Sequence, residues 1–545
     1  MKRYSLLFLF GILVLASILR LYKLDTVPPG INRDEASIGV TAYSLLTTGR
    51  DEYGRSIPLS FESFGDWKMP LYIYVTIPFV KVLGLSELAV RLPSAIAGIA
   101  SVGAIYFLAL TLFSSEFIAL SAAIVLALMP WHIHISRVES EAIVATFALI
   151  VGSLMFLRAI KLRSLASLIT SAAIFSSTFY TYHGNHVSTS LLILGLTGIY
   201  WHEIIKIPKW WYALITGTVL VGIILVIGFS ADHTKLSGIS IFGDPTVIHK
   251  QIELPRLEHS DPNSLAAKLA HNRITYAAIT IYQNYLKAYG PEFLFIKGGG
   301  NSAHNILGFG NLHPIEAPLL LIGVIWLFYA TKKKGATFVL WWIVIGGVAA
   351  AITKDAPHSN RTLAIVPSLA IAIAAGIDTL IRIKIPRVRL VIIAILLMGY
   401  ATSMGIYLDK YFDHFPKKES QNWGYAYKKL APILSHPSNA KKQIIMTHPE
   451  TSPYIYLLFY TAYSPANYQK QAIRYPISRD GFTDVAGFGR YSFRPIDWEK
   501  DLSTPNTLLI SKANETPSEL MSKTIATITL PDGTPQYTVI DTDKK

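Results

Sequence analysis

The chain has 545 residues, of which 51% are hydrophobic and only 15% are charged, whereas about 25% of the residues in an ordinary soluble domain are charged. This composition excludes a disordered chain and disfavours a soluble multidomain enzyme. Cysteine is absent, which excludes disulfides, thiol nucleophiles and cysteine-ligated metal centres. The formal net charge is +14. This charge alone is compatible with binding to nucleic acid, with binding to a membrane surface or with a signal that sets membrane topology.

Eleven apolar segments of approximately membrane length predict transmembrane helices. The first follows Lys2 and Arg3 and has no small-x-small cleavage site before Asp25, so we expect an uncleaved anchor. Pro70–Leu83 is apolar too, but it is short and contains Lys81, which favours an interfacial or re-entrant helix. The predicted spans are Ser5–Leu19, Leu88–Leu112, Phe117–His132, Ala142–Leu157, Leu165–Tyr180, Val187–Trp201, Trp210–Phe229, Ile315–Tyr329, Ala336–Ile352, Leu363–Ile381 and Val388–Tyr407.

The distribution of Lys and Arg predicts the orientation, because these residues collect in cytoplasmic loops. With Pro70–Leu83 outside the membrane core and the N-terminus inside, four basic clusters lie in inner loops; counting that segment as a span would move all four outside. The basic excess is therefore an orientation signal rather than a nucleic-acid footprint. The clusters are Arg158/Lys161/Arg163, Lys206/Lys209, Lys332/Lys333/Lys334 and Arg382/Lys384/Arg387/Arg389.

This orientation predicts three extracytoplasmic segments on a multi-pass protein of a cell membrane, which we expect to be prokaryotic. They are the first loop Tyr22–Glu87, a loop Ser230–Pro314 and the tail Leu408–Lys545. Leu265–Tyr289 in the second loop predicts a helix along the membrane. The tail predicts a small α/β domain, from strand-like runs and one helix-like run, so we divide the chain into a transmembrane catalytic domain over 1–407 and an extracytoplasmic domain over 408–545. These runs are Gln443–Met446, Thr507–Ile510, Thr524–Leu530 and Tyr454–Tyr463.

Ionisable side chains collect at the outer ends of the spans, where such groups are candidates for function. A carboxylate pair facing several cations suits a reaction that takes a proton from a hydroxyl and releases a phosphate. No Walker A motif is present, so a nucleotide donor is not indicated. The candidate residues are Asp34, Glu35, Lys68, Arg91, Arg137, Glu139, Glu141, His183, His358 and Arg361.

Each of these residues also has a structural explanation. Asp34 and Glu35 could cap a helix N-terminus, and Arg91 and Arg361 could extend from span ends toward water. The pairs His132/His134 and His183/His186 could be polar tips at the membrane interface. Their spacings are compatible with a divalent metal, but no third ligand is fixed by sequence, so no metal site or other cofactor is indicated.

Several motifs in residues 1–407 resemble those of GT-C membrane glycosyltransferases, in the branch of the protein O-mannosyltransferases and the lipid A aminoarabinose transferases. Besides the basic anchor and Asp34-Glu35, the resemblance rests on the motifs Lys68-Met69-Pro70-Leu71, Gly84-Leu85-Ser86-Glu87-Leu88-Ala89-Val90-Arg91-Leu92-Pro93-Ser94, Ser136-Arg137 and His358-Ser359-Asn360-Arg361. It is most specific over the first 140 residues.

The resemblance implies a mainly helical polytopic fold of about eleven spans, with a polyprenyl-phosphate sugar as donor and an inverting transfer to a hydroxyl on the extracytoplasmic face. It implies that Asp34 is the general base and that Glu35 orients Asp34 or binds sugar. Lys68, Arg91 and Arg137 become candidates for binding the lipid phosphate. The same role for Arg361, with His358 in support, is our inference from position.

Two departures from the family pattern leave parts of the function open. An acidic residue expected shortly after Arg137 corresponds to either Glu139 or Glu141, and the Pro-Pro-Leu-Gly-Lys pattern of protein O-mannosyltransferases is absent. The acceptor is therefore a lipid, a glycan or a protein.

A transporter or flippase of lipid-linked saccharides is the alternative, although such proteins place binding residues at the bilayer midplane and commonly contain inverted repeats. A catalytically inactive scaffold with a partner-binding tail is a third hypothesis.

Overall fold

The computed structural model describes residues 3–230, 240–242, 246–447, 452–476 and 483–544. Within these ranges the chain is mainly helical, with strands in one short hairpin and one larger sheet. The α-helices are Arg3–Leu21, Arg33–Thr48, Pro70–Leu83, Glu87–Phe113, Glu116–Leu128, Pro130–Ser136, Glu141–Leu162, Leu165–Ser177, Gly184–Ile204, Trp211–Ser230, Leu254–Leu257, Leu265–Ala270, Arg273–Ala288, Glu316–Tyr329, Lys334–Gly346, Val348–Ala351, Val366–Ile381, Pro386–Asp409, Phe415–Lys418, Tyr425–Ser435, Pro453–Tyr460, Pro465–Gln471 and Trp498–Asp501.

The apolar helices confirm a membrane protein. Among the described residues, six helices are long and apolar enough to cross a membrane, or seven if the bent pair Glu116–Leu128 and Pro130–Ser136 forms one span. Every predicted span coincides with helical structure, but some of these helices are shorter than a full crossing, so the number eleven stays a prediction. The shorter apolar helices are Pro70–Leu83, Leu165–Tyr180, Trp211–Val226 and Glu316–Tyr329.

The segment predicted as one continuous span, Phe117–His132, is bent by 59° before Pro130. Proline has no N–H, so the carbonyl of Leu126 loses its helical donor, and the next N–H, that of Trp131, donates elsewhere, to Asn311. The buried guanidinium of Arg20 replaces both donors, at 3.1 Å to the carbonyl of Leu126 and 3.1 Å to that of Ala127. The first helix therefore stabilises the break.

The contacts of the chain divide it into two compact units. The first comprises Met1–Tyr22, Ser94–Ser136 and Ser140–Tyr407 and contains most of the apolar helices. Its core includes a close helix pair, Glu316–Tyr329 against Val366–Ile381, in which a Cβ added at Gly323 would lie 1.8 Å from the carbonyl oxygen of Ala372. Small residues allow such close approach between membrane helices.

The second unit comprises Lys23–Pro93, Arg137–Glu139 and Leu408–Lys545. It therefore joins the first predicted outer loop to the tail, whereas the division that we predicted at residue 407 stays a prediction. Within this unit the helix Arg33–Thr48 packs on the helix Pro453–Tyr460.

The sheet of the second unit confirms the predicted α/β tail. Its strand order is β4-β5-β6-β3-β7-β9-β8, with β3 parallel to both neighbours and the other pairs antiparallel. A separate hairpin consists of β1 and β2. The strands are β1 Phe61–Ser63, β2 Asp66–Lys68, β3 Gln443–Met446, β4 Ile473–Arg474, β5 Val485–Phe488, β6 Tyr491–Phe493, β7 Thr507–Lys512, β8 Thr524–Thr529 and β9 Pro535–Asp541.

One predicted element differs in its continuity. We expected a single helix over Leu265–Tyr289, and the structure has two, Leu265–Ala270 and Arg273–Ala288. The side chain of Asn272 accepts hydrogen bonds from the backbone of Ile274 and Thr275 and so caps the second helix. A side chain that satisfies these N–H groups favours a new helix start over continuation.

Candidate active site

The N-terminus of the helix Arg33–Thr48 fixes the position of Asp34. The side chain of Asn32 accepts a hydrogen bond from the backbone N–H of Glu35 at 2.9 Å, and Oε2 of Glu35 accepts one from the N–H of Asn32 at 3.2 Å. This reciprocal capping box satisfies two N–H groups that a helix start leaves free. Asp34 lies in the first turn, where the helix dipole stabilises negative charge, and its side chain is 55% exposed.

Lys68 meets this carboxylate from the β1–β2 hairpin. The two residues of the turn, Phe64 and Gly65, have φ angles of 60° and 79°, and positive φ at both positions is typical of the tight turns that match strand twist. The turn returns the chain so that Nζ of Lys68 donates a hydrogen bond to Oδ1 of Asp34 at 2.6 Å. The Lys68 side chain is only 6% exposed, so this cation is held in place rather than free in solvent.

Glu35 and Arg91 form a fully buried ion pair beside Asp34. Nε and Nη2 of Arg91 donate to the two carboxylate oxygens of Glu35, each at 3.0 Å. The remaining donors of Arg91 go to the backbone carbonyls of Leu24, Pro28 and Gly30. All five guanidinium donors are therefore engaged, which leaves none for the phosphate that we expected Arg91 to bind.

The segment that follows the bent third span also attaches to Glu35. The backbone N–H of Glu139 donates to Oε1 of Glu35 at 2.8 Å, so the predicted acidic residue Glu139 contributes a backbone contact here. Arg137 is buried and donates to the carbonyl of Val27 at 3.1 Å. Its guanidinium carbon lies 5.1 Å from the ring centroid of Tyr411. These hydrogen bonds of Glu35 and Arg137 thus connect the first loop to the segment Arg137–Glu139.

The other predicted residues belong to the first unit, and two of them are close together. The backbone N–H of Arg361 donates to Nδ1 of His358 at 3.4 Å, and Nη2 of Arg361 donates to Asp355 at 3.2 Å. Burial, together with the nearby His304 and Arg361, lowers the pKa of His358 well below its ordinary value, so its ring is neutral at pH 7.

Glu141 and His183 occupy the starts of two further helices of the first unit. Glu141 is the first residue of the helix Glu141–Leu162, and His183 precedes the helix Gly184–Ile204. The ring centroid of His183 lies 5.6 Å from that of His186. Among the residues that the structure describes, no three His, Cys, Asp or Glu side chains are arranged to hold a metal ion.

Sequence reasoning missed several residues around Asp34 and Lys68. The guanidinium carbon of Arg33 lies 4.8 Å from the ring centroid of Phe64, the first residue of the hairpin turn. The tail contributes Lys428, which pairs with Glu87 at 2.8 Å, and Trp423, whose ring centroid is 5.5 Å from the guanidinium carbon of Arg91. The position of Arg33 next to Asp34 was an available signal, but the tail carries no motif that would reveal these contacts.

Comparison with known proteins agrees with this architecture. Crystal structures of ArnT from Cupriavidus metallidurans match 98% of the chain and 97% of the other protein, with TM-scores of 0.55 in the apo state and 0.53 with bound undecaprenyl phosphate, at 12% and 11% identity. The archaeal oligosaccharyltransferase AglB from Archaeoglobus fulgidus, in complex with an inhibitory peptide and a dolichol-phosphate, matches 94% of the chain and 69% of its own, with a TM-score of 0.51 at 11% identity. The chain has a GT-C fold.

Sequence comparison places the GT-C resemblance in the expected region. Residues 11–236 match the family model of dolichyl-phosphate-mannose-protein mannosyltransferases. A stretch of 112 residues is 31% identical to part of YycA of Bacillus subtilis (strain 168), which is named as a mannosyltransferase. The match covers 21% of the chain and 16% of that protein. The predicted resemblance to GT-C glycosyltransferases is confirmed, and so is the predicted fold class.

Proposed function

We propose that the protein is a membrane glycosyltransferase that moves a sugar from a polyprenyl-phosphate donor to a hydroxyl acceptor on the extracytoplasmic face. The pairing of the half-exposed Asp34 with the buried Lys68 at a helix N-terminus carries this proposal. It provides a carboxylate that substrate can reach beside a cation that can bind phosphate. The family description, which names a lipid-phosphate sugar donor, and the polyprenyl phosphates bound to the GT-C neighbours support the donor class.

In the proposed reaction Asp34 acts as the general base. A carboxylate within reach of an acceptor hydroxyl can take its proton as the oxygen attacks the anomeric carbon. The new bond joins that oxygen to the anomeric carbon, while the bond from the anomeric carbon to the phosphate oxygen breaks. Attack opposite the leaving phosphate inverts the anomeric configuration. The proton ends on Asp34, and the bonding pair leaves with the polyprenyl phosphate.

Lys68 is the proposed partner of the leaving phosphate, because an ammonium stabilises the negative charge that develops there. Arg361, with the neutral ring of His358 beside it, stays a candidate for binding the lipid phosphate by its position in the sequence. Glu35, Arg91 and Arg137 have a positioning role in this proposal, since their polar atoms bind the first loop. The second acidic role stays with Glu139 or Glu141, and His183 remains a candidate substrate contact.

The proposed topology places this chemistry outside the cytoplasm. The basic clusters in alternate loops favour a cytoplasmic N-terminus, which puts the first outer loop and the tail on the opposite face. Cysteine is absent from the chain, so single cysteines introduced at exposed Asp25 and at Lys161 provide a clean test. A membrane-impermeant maleimide applied to intact cells should label the first position and spare the second; the reverse pattern would contradict the topology.

Transfer itself is testable with purified protein in detergent. Undecaprenyl-phosphate mannose and other undecaprenyl-phosphate sugars would be incubated with protein, glycan and lipid acceptors, and both the released undecaprenyl phosphate and the glycosylated acceptor would be measured. We expect stoichiometric formation of both products for one donor and acceptor pair. The alternative function, a flippase, moves lipid-linked sugar between leaflets of proteoliposomes and forms neither product.

A further inference from the structure

A second polar cluster lies in the same compact unit as Asp34 and Lys68, and the proposed transfer step does not use it. Glu52 follows the helix Arg33–Thr48, and the residue is 2% exposed. Neither of its carboxylate oxygens has a hydrogen-bond partner among the described residues. Burial of a polar group without a hydrogen-bond partner destabilises a fold. Stability therefore does not explain why Glu52 is buried in this way.

Two further polar groups without a partner lie close to Glu52. Arg474 in β4 interacts electrostatically with Glu52, and its guanidinium carbon lies 4.2 Å from the ring centroid of Tyr53 and 6.0 Å from that of Tyr468. Within the described part of the chain, neither its buried Nη2 nor the buried hydroxyl of Tyr468 has a hydrogen-bond partner. The cluster thus combines unsatisfied acceptors on Glu52 with unsatisfied donors on Arg474 and Tyr468.

Aromatic contacts connect this cluster to the candidate active site. The ring of Tyr468 stacks on that of Tyr454 at 6.2 Å, and Tyr454 meets Phe64 edge-on at 5.9 Å. Nζ of Lys68 lies 6.0 Å from the Phe64 ring centroid, and Lys68 also interacts electrostatically with Glu52. Arg474 and Tyr53 are half-buried, so the edge of the cluster is accessible to solvent.

We infer that Glu52, Arg474 and Tyr468 form a carbohydrate-binding subsite. A simple cation would be repelled by Arg474, and a phosphodiester, which has no hydrogen-bond donor, would leave the acceptors of Glu52 unsatisfied. A sugar carries no charge, and each of its hydroxyls can donate and accept, so it can satisfy both the acceptors and the donors of this cluster. The inference rests on the proposed function, because it takes the ligand to be either the sugar of the donor or a saccharide acceptor.

Binding is tested by saturation-transfer NMR on the full-length protein in nanodiscs, with methyl α-glycosides of mannose, glucose and galactose as probes at millimolar concentration. We expect saturation transfer to at least one glycoside, reduced about fivefold in Tyr468→Phe, as for the loss of one hydrogen bond, and reduced also in Glu52→Gln. The matched controls are Tyr463→Phe, whose hydroxyl already bonds Gln471, and Glu499→Gln at an exposed site. No transfer to any probe, or equal transfer in Tyr468→Phe and the wild type, would overturn the subsite.

Kinetics then distinguish the two sources of sugar. In Tyr468→Phe, a raised KM for the undecaprenyl-phosphate sugar assigns the subsite to the donor, and a raised KM for the acceptor assigns it to the acceptor; an unchanged KM for both contradicts the inference. Each variant must melt at a temperature no lower than that of the wild type, and a variant that does not is replaced by Arg474→Gln. Asp34→Asn should bind the glycosides normally although it loses sugar transfer. In the wild type, binding of the glycosides without sugar transfer from any undecaprenyl-phosphate donor would count against the proposed function alone.

Discussion

Lys68 and Asp34 form an ion pair in which the lysine is buried and the aspartate is half-exposed. The ammonium group and the helix N-terminus both stabilise the negative charge of the Asp34 carboxylate. A donor phosphate that binds the Lys68 ammonium group would weaken the ion pair between Lys68 and Asp34. In the proposed reaction, donor binding therefore prepares Asp34 to accept a proton.

The first prediction concerns Asp34 itself. Asp34→Asn keeps the size of the side chain but cannot accept the acceptor proton, so we expect sugar transfer to fall by about 10²–10⁴-fold. Release of undecaprenyl phosphate in detergent measures the loss. Asp25→Asn, an exposed position in the same unit, is the control and should retain wild-type activity. Full activity in Asp34→Asn would exclude Asp34 as the base.

The second prediction separates binding from proton transfer at Lys68. Lys68→Met removes the cation that we assign to the phosphate, so KM for the donor should rise, and kcat/KM should fall by about 10²–10³-fold, as when one group that stabilises developing charge is lost. Lys81→Met, at an exposed position, is the matched control and should change neither constant. A donor KM equal to that of the wild type would show that Lys68 does not bind the phosphate.

The third prediction concerns the buried pair Glu35–Arg91. Arg91→Met leaves the Glu35 carboxylate buried without its cation, which should lower the free energy of unfolding by about 3–5 kcal/mol. Adding Glu35→Gln removes that charge and keeps one amide oxygen, which can replace the acceptor of the Asn32 N–H or that of the Glu139 N–H but not both. Because no buried charge is left unpaired, the double variant should still be more stable than Arg91→Met.

Denaturant unfolding in detergent measures both variants of this pair. Arg55→Met is the control, because the Arg55–Glu62 pair is exposed on the arginine side and such surface pairs contribute about 0–1 kcal/mol. If Arg91→Met were as stable as Arg55→Met, the buried Glu35–Arg91 pair would not stabilise the first loop.

The sequence predicted the membrane fold, but it predicted only part of the surroundings of Asp34. The capping box could be read locally, since Asn32 and Glu35 have the spacing of that motif. The break before Pro130 was also readable, because proline interrupts helical hydrogen bonding. These features depend on neighbours in the chain.

The role of Arg91 shows what sequence could not provide. Its position at a span end suggested either a phosphate ligand or a side chain that reaches toward water. The structure instead surrounds its guanidinium group with the backbone carbonyls of Leu24, Pro28 and Gly30. No pattern of side chains in the sequence indicates the path of that loop backbone. The approach of Lys68 to Asp34 likewise depends on a hairpin turn and on long-range packing rather than on spacing.

The fourth prediction follows from the burial of Glu52. Burial raises the pKa of this carboxyl group from 4.5 to about 8, despite the opposing effect of Arg474 and Lys68 and with a small contribution from Asp51 and Glu62 in the same direction as burial. Between these values the folded protein keeps the Glu52 proton while the unfolded chain has lost it. The folded state binds more protons in this interval, so stability should decrease as pH rises from about 4.5 to about 8.

Glu52→Gln tests this pH dependence because its side chain resembles the protonated carboxyl group and does not titrate. The variant should match the wild type near pH 5 and exceed its free energy of unfolding at pH 8 by an amount on the order of a few kcal/mol. Denaturant unfolding at several pH values gives both curves, and Glu499→Gln should follow the wild type throughout. Parallel curves for Glu52→Gln and the wild type would mean that Glu52 ionises normally and is solvated in the folded protein.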